Sequence, residues 1–262
     1  MKKGKEMDHN KIGVCLVGYG VMGAIYVKKL KLLTPKVELL YIVGTKEGPL
    51  SDYCSTIGGC TPCTDIQVAL KDSKVNCIII SSPDESHSDL VRRSLDSGKH
   101  VLCEKPLTLS SQDARICHDL AIEKGLILLT AFNRRHDHSF SQVKKRLDAG
   151  LVGRVELIKT VSRDPLIKQA VESSIEPTQQ VHPIWNSLIH DFDMAVWLAG
   201  VEEVEEVTAF QTQKHCIVVV IKFANGVLAV IDWAKGIGDT LKNQIFKEVC
   251  NSFESVWVRS KT

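Results

Sequence analysis

The sequence lacks the features that indicate a membrane protein, a secreted protein or a nucleic-acid-binding protein. No apolar run approaches the roughly 20 residues that a helix needs to cross a bilayer. The polar residues 1–10 lead directly into an apolar run, without the hydrophobic stretch and cleavage site of a signal peptide. The 33 lysines and arginines nearly balance the 31 aspartates and glutamates, so no excess of positive charge favours nucleic acid. We therefore expect no membrane partner and no nucleic-acid partner.

Cysteine is present, but not in the pattern of a disulfide framework or a zinc site. Nine cysteines, an odd number, are scattered along the chain, which is typical of a reducing compartment. We therefore expect a cytoplasmic protein. Cys60 and Cys63 form one C-x-x-C near Cys54, but a zinc site needs a second such pair or suitably spaced histidines. We expect no metal, and we expect these cysteines to pack in a loop and an edge strand.

The chain is organised around a glycine-rich turn near its N-terminus. The apolar run Ile12–Val17 predicts a buried strand, and a helical pattern of apolar residues follows the turn. Strand, G-x-G-x-x-G and helix in this order form a dinucleotide-binding fingerprint. The first glycine permits a tight turn, the second lets a pyrophosphate approach the backbone, and the third lets helix and strand pack closely. The alternative is a glycine turn without a ligand. The predicted cofactor contacts in the turn are Gly18, Tyr19, Gly20, Val21, Met22 and Gly23.

Two patterns of secondary structure divide the 262 residues into two predicted domains. In residues 1–130 short apolar runs alternate with helical patterns, which predicts an α/β Rossmann domain with a doubly wound parallel sheet. The stretch 51–63 is rich in Gly, Ser and Thr and is expected to be a loop. Residues 131–262 begin with a helical pattern and continue with apolar runs joined by an Asn225-Gly226 turn. This second pattern predicts an α+β domain with a mostly antiparallel open sheet.

The residues after the second predicted strand bear on the choice between NAD and NADP. NAD sites commonly place a carboxylate at this strand end to bind the ribose 2′-hydroxyl. Here Val37–Val43 is followed by Gly44, Thr45 and Lys46. The hydroxyl of Thr45 and the ammonium of Lys46 suit a 2′-phosphate, and the carboxylate of Glu47 comes one place later. The sequence therefore favours NADP over NAD, with Thr45 and Lys46 as contacts. The alternative is a solvated turn that accepts either cofactor.

Two further loops follow predicted strands and belong to the same edge of the sheet. The first supplies the predicted cofactor contacts Ser81, Ser82, Pro83 and His87, and the second supplies Glu104 and Lys105, followed by Pro106. A lysine between a carboxylate and a proline, just after a buried strand, is unusual for a solvated surface. The alternative for Lys105 is a helix-capping surface lysine. The Lys105–Pro106 peptide bond is a candidate for the cis form.

A polar stripe marks a helix predicted over residues 186–198 of the second domain. Asn186, His190 and Asp193 fall at i, i+4 and i+7 and would share one face of a regular α-helix. A histidine there can take or give a proton near neutral pH. The alternative is a structural histidine.

These motifs together resemble the glucose–fructose oxidoreductase/inositol dehydrogenase/rhizopine catabolism (Gfo/Idh/MocA) family from about residue 11 to residue 233. The helix stripe is most similar to that of inositol dehydrogenases. The resemblance is carried by the glycine turn, Ser82-Pro83 with His87, Gly98–Pro106, Asn133-Arg134-Arg135, Asp148–Gly153 and Leu188–Asp193.

The resemblance implies an NAD(P)-dependent dehydrogenase that acts on a cyclic polyol or sugar. His190 would be the general base and Lys105 would hydrogen-bond the reacting oxygen, with Arg135 and Asn186 as further substrate contacts. Inositol dehydrogenases carry an aspartate where this chain has Asn186. Asparagine can orient a substrate but cannot relay a proton, so we expect altered proton transfer. Asn186 is nevertheless counted among the catalytic residues.

The C-terminal residues depart further from the family. Its members usually continue for tens of residues beyond the Asn225-Gly226 hairpin, whereas residues 236–262 show only one candidate edge strand or short helix, at 249–258. We expect a shortened second sheet, and homo-oligomers formed through that sheet that are weakened by the truncation. The alternative function is a truncated or catalytically weak nucleotide-binding or interaction protein that keeps only the cofactor site.

Overall fold

The computed structural model describes residues 11–164, 184–212, 216–235 and 255–261. The chain divides into two compact units, unit 1 with Met1–Ala131 and unit 2 with Phe132–Thr262.

Unit 1 contains a six-stranded sheet in which every pair of neighbouring strands is parallel. The strand order is β3-β2-β1-β4-β5-β6, so the chain starts in the centre, builds one half of the sheet, and then crosses to build the other half. The predicted doubly wound parallel sheet is confirmed, and the loops after the strands share one edge. The strands are β1 Ile12–Val17, β2 Val37–Val43, β3 Thr61–Cys63, β4 Val75–Ile80, β5 His100–Cys103 and β6 Leu128–Thr130.

Helices cover both faces of this sheet. Alternate residues of β1 point to opposite sides, so that Val14 and Leu16 pack with one group of helices and Cys15 and Val17 with the other. The first group is α1 and α2, and the second is α3, α4 and α5. The helices are α1 Val21–Leu32, α2 Glu47–Ile57, α3 Ile66–Lys71, α4 His87–Asp96 and α5 Ser111–Glu123.

The loop predicted for residues 51–63 is wrong, because α2 occupies most of that stretch and β3 ends it. Leu50 and Cys54, four residues apart, are buried against the sheet. The sequence does not predict this helix because only these two apolar residues mark its buried face, among small polar residues. Pro49 is tolerated because it lies in the first turn, where an N–H has no partner within the helix. Gly58, with φ of +71°, follows the last turn.

Unit 2 packs helices against one face of a five-stranded sheet with strand order β11-β7-β10-β9-β8. The β7–β10 pair is parallel and the other three pairs are antiparallel, which confirms the mostly antiparallel sheet. Asn225 Oδ1 accepts a hydrogen bond from the Val227 N–H in the predicted hairpin between β9 and β10. The elements are α6 His138–Asp148, β7 Arg154–Asp164, α7 Ile189–Ala199, β8 Val204–Gln211, β9 Cys216–Phe223, β10 Leu228–Lys235 and β11 Ser255–Lys261.

One prediction for unit 2 needs correction, and a second agrees with the structure apart from its bounds. The helix predicted from Asn186 begins with one π-helical turn, Ile184–Leu188, and becomes α-helical only at Ile189. Because π turns close i→i+5 hydrogen bonds, the regular i, i+4 spacing from Asn186 to His190 does not hold. The edge strand predicted at 249–258 is observed as β11, antiparallel to β7. Residues 249–254 lie outside the described part of the chain.

Candidate active site

The glycine turn after β1 leaves room for a ligand at one of its three glycines. A Cβ on Gly18, which has φ of +93°, would lie 2.6 Å from the Ser81 carbonyl oxygen, and a Cβ on Gly23 would lie 2.3 Å from the Gly18 oxygen. A Cβ on Gly20 would meet no atom within 4 Å. Gly20 is also the residue before α1, whose first N–H groups have no partner within the helix. The turn therefore fits a dinucleotide pyrophosphate in front of Gly20.

Tyr19 connects this turn to the end of β2. Its ring lies 5.4 Å from the ring of Tyr53, tilted by 31°, and a Cβ on Gly44 would come within 2.4 Å of Tyr19 Cε1. A side chain at position 44 would have to displace the Tyr19 ring, which covers it. The sequence motif did not identify Tyr53 or Gly44, since neither belongs to the G-x-G-x-x-G pattern.

The two residues predicted to choose the cofactor lie beside this aromatic pair. Thr45 and Lys46 are exposed between β2 and α2, and Lys46 immediately precedes the helix. Glu47 is the first residue of α2 and is exposed as well. The strand tip therefore presents a hydroxyl and an ammonium ahead of the carboxylate.

The residues predicted as cofactor contacts in the loop after β4 form hydrogen bonds mainly with neighbouring loops. Ser81 Oγ donates to the carbonyl oxygens of Val17 (3.2 Å) and Gly18 (3.1 Å), which holds the glycine turn. His87 is fully buried, and its ring nitrogens lie 2.9 Å from the Ser82 oxygen and 2.7 Å from the Pro106 oxygen. His87 thus joins this loop to the loop after β5. Direct cofactor contacts by Ser82, Pro83 and His87 stay predictions.

The loop after β5 holds Glu104 and Lys105 in different environments. Glu104 is buried, and its carboxylate accepts from the Tyr26 hydroxyl of α1 at 2.8 Å and from the Lys105 N–H at 3.3 Å. Burial, followed by the neighbouring Glu104, raises the pKa of Tyr26. The Lys105 side chain is half-buried, and the Lys105–Pro106 bond is cis. Tyr26 was not identified from the sequence, because it falls after the glycine motif.

In unit 2 a buried ion pair lies next to the candidate base His190. Arg134 Nη1 donates to Asp191 Oδ1 at 3.0 Å, and Ser162 Oγ donates to the same oxygen at 2.9 Å. Asp191 is 1% exposed, and burial raises the pKa of its carboxyl, while Arg134 opposes the rise. The pair ties the first turn of α7 to the start of unit 2.

A second pair fixes the same helix two residues later, at Asp193. The Nε–H of Arg135 donates a bifurcated hydrogen bond to both carboxylate oxygens of Asp193, at 2.9 and 3.1 Å, and Nη2 donates to Oδ1 at 2.6 Å. Its guanidinium also lies 5.9 Å from the centre of the Trp197 ring. Asp193 of the predicted polar stripe is therefore the partner of an arginine. Arg135 as a substrate contact stays a prediction, and spacing alone gave no signal for either arginine–aspartate pair.

Asn186 and His190 differ in exposure. Asn186 is exposed in the π-helical turn, whereas His190 is half-buried in the first turn of α7. The ring of His190 meets Phe132 edge-on, with centroids 6.3 Å apart. Both residues belong to unit 2 and Lys105 belongs to unit 1.

Two general findings concern only the described residues. Among them, no group of three or more His, Cys, Asp or Glu side chains is placed to hold a metal ion. In the same residues, no helix combines the length and apolar character needed to cross a membrane.

Comparison with known proteins places both units in one family. Residues 12–132 match the model of an oxidoreductase family with an NAD-binding Rossmann fold, and residues 140–242 match a GFO/IDH/MocA C-terminal domain. Myo-inositol 2-dehydrogenase of Thermotoga maritima is 31% identical over 234 residues, which are 85% of this chain and 67% of that protein. The scyllo-inositol 2-dehydrogenase (NAD(+)) of Bacillus subtilis is 27% identical, over 75% of this chain and 56% of that protein.

Solved structures agree in fold. A probable dehydrogenase from Thermotoga maritima has a TM-score of 0.73 and 30% identity, and it covers 85% of this chain and 68% of its own. The scyllo-inositol dehydrogenase of Lactobacillus casei, solved with NAD(H) and scyllo-inositol, has a TM-score of 0.78 at 20% identity, over 86% of this chain and 70% of that one. The chain spans about two thirds or less of the length of the curated relatives named above. The resemblance predicted from the sequence is confirmed, and the chain belongs to the Gfo/Idh/MocA family of oxidoreductases.

Proposed function

We propose that this protein binds a nicotinamide dinucleotide in unit 1 and transfers a hydride between nicotinamide C4 and a carbinol carbon of a cyclic polyol or sugar. The observation that carries the proposal is the glycine turn, which is closed by backbone at Gly18 and Gly23 but open at Gly20. The relatives named as inositol 2-dehydrogenases support a substrate of the inositol class. The bound nicotinamide would supply the hydride chemistry.

The protein would supply proton transfer and charge stabilisation. His190 takes the proton of the substrate hydroxyl as the hydride leaves, and Lys105 donates a hydrogen bond to the same oxygen. His190 sits in a turn fixed by the neighbouring Arg134–Asp191 pair, which suits a base whose position matters. Arg135 and Asn186 are proposed to contact the substrate.

Asn186 gives a direct test of the proton-transfer step. Asn186→Asp restores the carboxylate found in inositol dehydrogenases, so we expect a higher turnover and a pH–rate profile with an altered acid limb. Asn186→Ala is the matched variant that removes the amide without adding charge. An unchanged profile and turnover in Asn186→Asp would contradict the role of this position.

We further propose that the dinucleotide is NADP rather than NAD, because Thr45 and Lys46 precede the first carboxylate. An ammonium at this point favours a 2′-phosphate. The test is the Kd of each cofactor for the protein and for Lys46→Glu. Tighter NADP binding that reverses in the variant supports the proposal, and tighter NAD binding by the unchanged protein contradicts it.

The sheet of unit 2 is proposed to pair two copies of the chain. β8 lies at the sheet edge and all eight of its residues are exposed, including Val207 at 58% and Phe210 at 66%. An apolar exposed edge strand favours association. The mass measured in solution, compared with that of Phe210→Lys, tests this pairing.

The second candidate function is a nucleotide-binding protein that does not turn over a polyol, and the observation that favours it is Asn186 in place of a carboxylate. The two functions are separated by adding NAD(H) and NADP(H), measuring the melting shift, and then screening inositols and aldoses at the absorbance of reduced nicotinamide. Turnover of a polyol supports the dehydrogenase. Cofactor binding without turnover of any of them supports the second candidate.

A further inference from the structure

A carboxylate outside the catalytic set touches the π-helical turn that carries Asn186. Asp164 is the last residue of β7, and its Oδ2 accepts a hydrogen bond from the hydroxyl of Ser187. The same oxygen accepts from the indole N–H of Trp233 at 3.2 Å. Ser187 directly follows Asn186, so the carboxylate is bonded to the turn at the residue next to a proposed substrate contact.

Both ends of this connection are set in the core of unit 2. Trp233 is 2% exposed and belongs to β10, which pairs with β7 along its whole length. Leu188, on the other side of Ser187, is fully buried in the same core. The turn is thus fixed at Ser187 and Leu188, while Asn186 before them is exposed.

Two properties of this arrangement go beyond fold stability. π-helical turns are rare and occur frequently at functional sites, and this one precedes the helix that carries His190 and is hydrogen-bonded to the core through Asp164. A hydrogen bond to a charged acceptor is also stronger than one between neutral groups. The buried N–H of Trp233 needs only one acceptor, which Asp164 provides. The bond that Asp164 also accepts from Ser187 therefore acts on the π-helical turn.

We infer that Asp164 is a positioning residue, which holds the π-helical turn so that Asn186 meets the substrate in one orientation. The inference rests on the proposed dehydrogenase function. Asp164 acts through Ser187 and does not touch the reacting atoms. In the described contacts its carboxylate accepts hydrogen bonds from Ser187 and Trp233.

A double-mutant cycle between Ser187 and Asn186 tests the role. Ser187→Ala removes the hydrogen bond to Asp164 but removes no buried apolar side chain from the core. We expect it to lower kcat/KM for a polyol roughly tenfold, since neighbouring residues couple on this order, and to leave the dinucleotide Kd unchanged. In the Asn186→Ala background the same change should have no further effect. Two independent, multiplying losses would overturn the inference.

Hydrogen exchange of the 184–190 segment gives a second readout that needs no activity. Ser187→Ala and Asp164→Asn should both speed exchange there by at least about tenfold, with β9 unchanged. The control is Ser141→Ala, which removes a hydroxyl bonded to the His138 carbonyl on α6 and should leave the segment as in the unchanged protein. Undisturbed protection in both variants overturns the inference. Absence of polyol turnover in the unchanged protein overturns the proposed function instead, and exchange then decides whether Asp164 holds the turn.

Discussion

The two units assemble their functional groups in opposite ways. In unit 1 the central feature is backbone, since Gly18 and Gly23 admit no Cβ and Gly20 faces open space. In unit 2 the central features are side chains. Two ion pairs, Arg134–Asp191 and Arg135–Asp193, hold the helix that carries His190, and their partners are 57 and 58 residues apart in the chain. A site formed by the backbone can be recognised from a short local motif, whereas a site formed by side chains depends on contacts between residues far apart in the sequence.

The largest expected effect breaks the side-chain arrangement. Arg134→Ala leaves the buried Asp191 without its cation and should cost about 3–5 kcal/mol of unfolding free energy. Denaturant unfolding measures the loss. Arg93→Ala is the control from unit 1, because its pair with Asp89 is exposed and should cost less than about 1 kcal/mol. Equal losses in the two variants would show that the buried pair stabilises the protein no more than an exposed one.

The second prediction separates the two kinds of glycine in unit 1. Gly23→Ala forces a Cβ against the Gly18 carbonyl oxygen and should cost about 1–3 kcal/mol, as overpacking does. Gly20→Ala meets no atom, so its melting temperature should stay near that of the unchanged protein while its dinucleotide Kd rises. Thermal melts with and without cofactor measure both effects. If Gly20→Ala binds the cofactor normally, the open space in front of Gly20 is not the pyrophosphate site.

The features that the sequence predicts correctly depend on residues close together in the chain. The bounds of β1 and β2 and the Asn225-Gly226 turn follow from patterns within a few residues, and the structure confirms them. The family was also predicted correctly, because its motifs are short and contiguous.

The features that the sequence does not predict depend on contacts between residues far apart in the chain. The helix α2 is held by Leu50 and Cys54 against the sheet, a stripe too narrow to outweigh its glycines and serines. The π-helical turn depends on Asp164, 23 residues from Ser187, and no helical period in the sequence reveals it. Asp193 belongs to the polar stripe predicted with Asn186 and His190, but its carboxylate pairs with Arg135, which is 58 residues away in the chain.

The third prediction sharpens the role of Arg135, which is both an ion-pair partner and a predicted substrate contact. Arg135→Lys keeps the charge but loses the fork that binds Asp193 through two nitrogens. Because this arginine is partly exposed, we expect a loss of about 1 kcal/mol in unfolding free energy. A fall in kcat/KM at temperatures far below melting would support the substrate contact. An unchanged kcat/KM would leave Arg135 with the ion pair alone.

The smallest expected effect compares one aspartate from each unit as the pH changes. The N–H of Lys74, followed by the Tyr41 hydroxyl, lowers the pKa of Asp72 in unit 1, whereas burial raises the pKa of Asp191 in unit 2. The lowered pKa of Asp72 contributes stability above the usual aspartate range, which is lost as the pH falls through the lowered pKa. The raised pKa of Asp191 has the opposite sign, so its contribution is full at low pH and is lost as the pH rises through the raised pKa.

Urea unfolding between pH 3 and pH 7 should therefore give opposite trends for two matched variants. The stability advantage of the unchanged protein over Asp72→Asn should shrink on acidification, and its stability relative to Asp191→Asn should improve. Both slopes should be modest, because Asp72 is partly exposed to solvent and Arg134 offsets the burial of Asp191. The packing changes caused by either amide shift the curves without changing their slopes. Parallel slopes in the two variants would mean that Asp191 is not held in a buried site, and the contrast between the two units would then rest on the glycine turn alone.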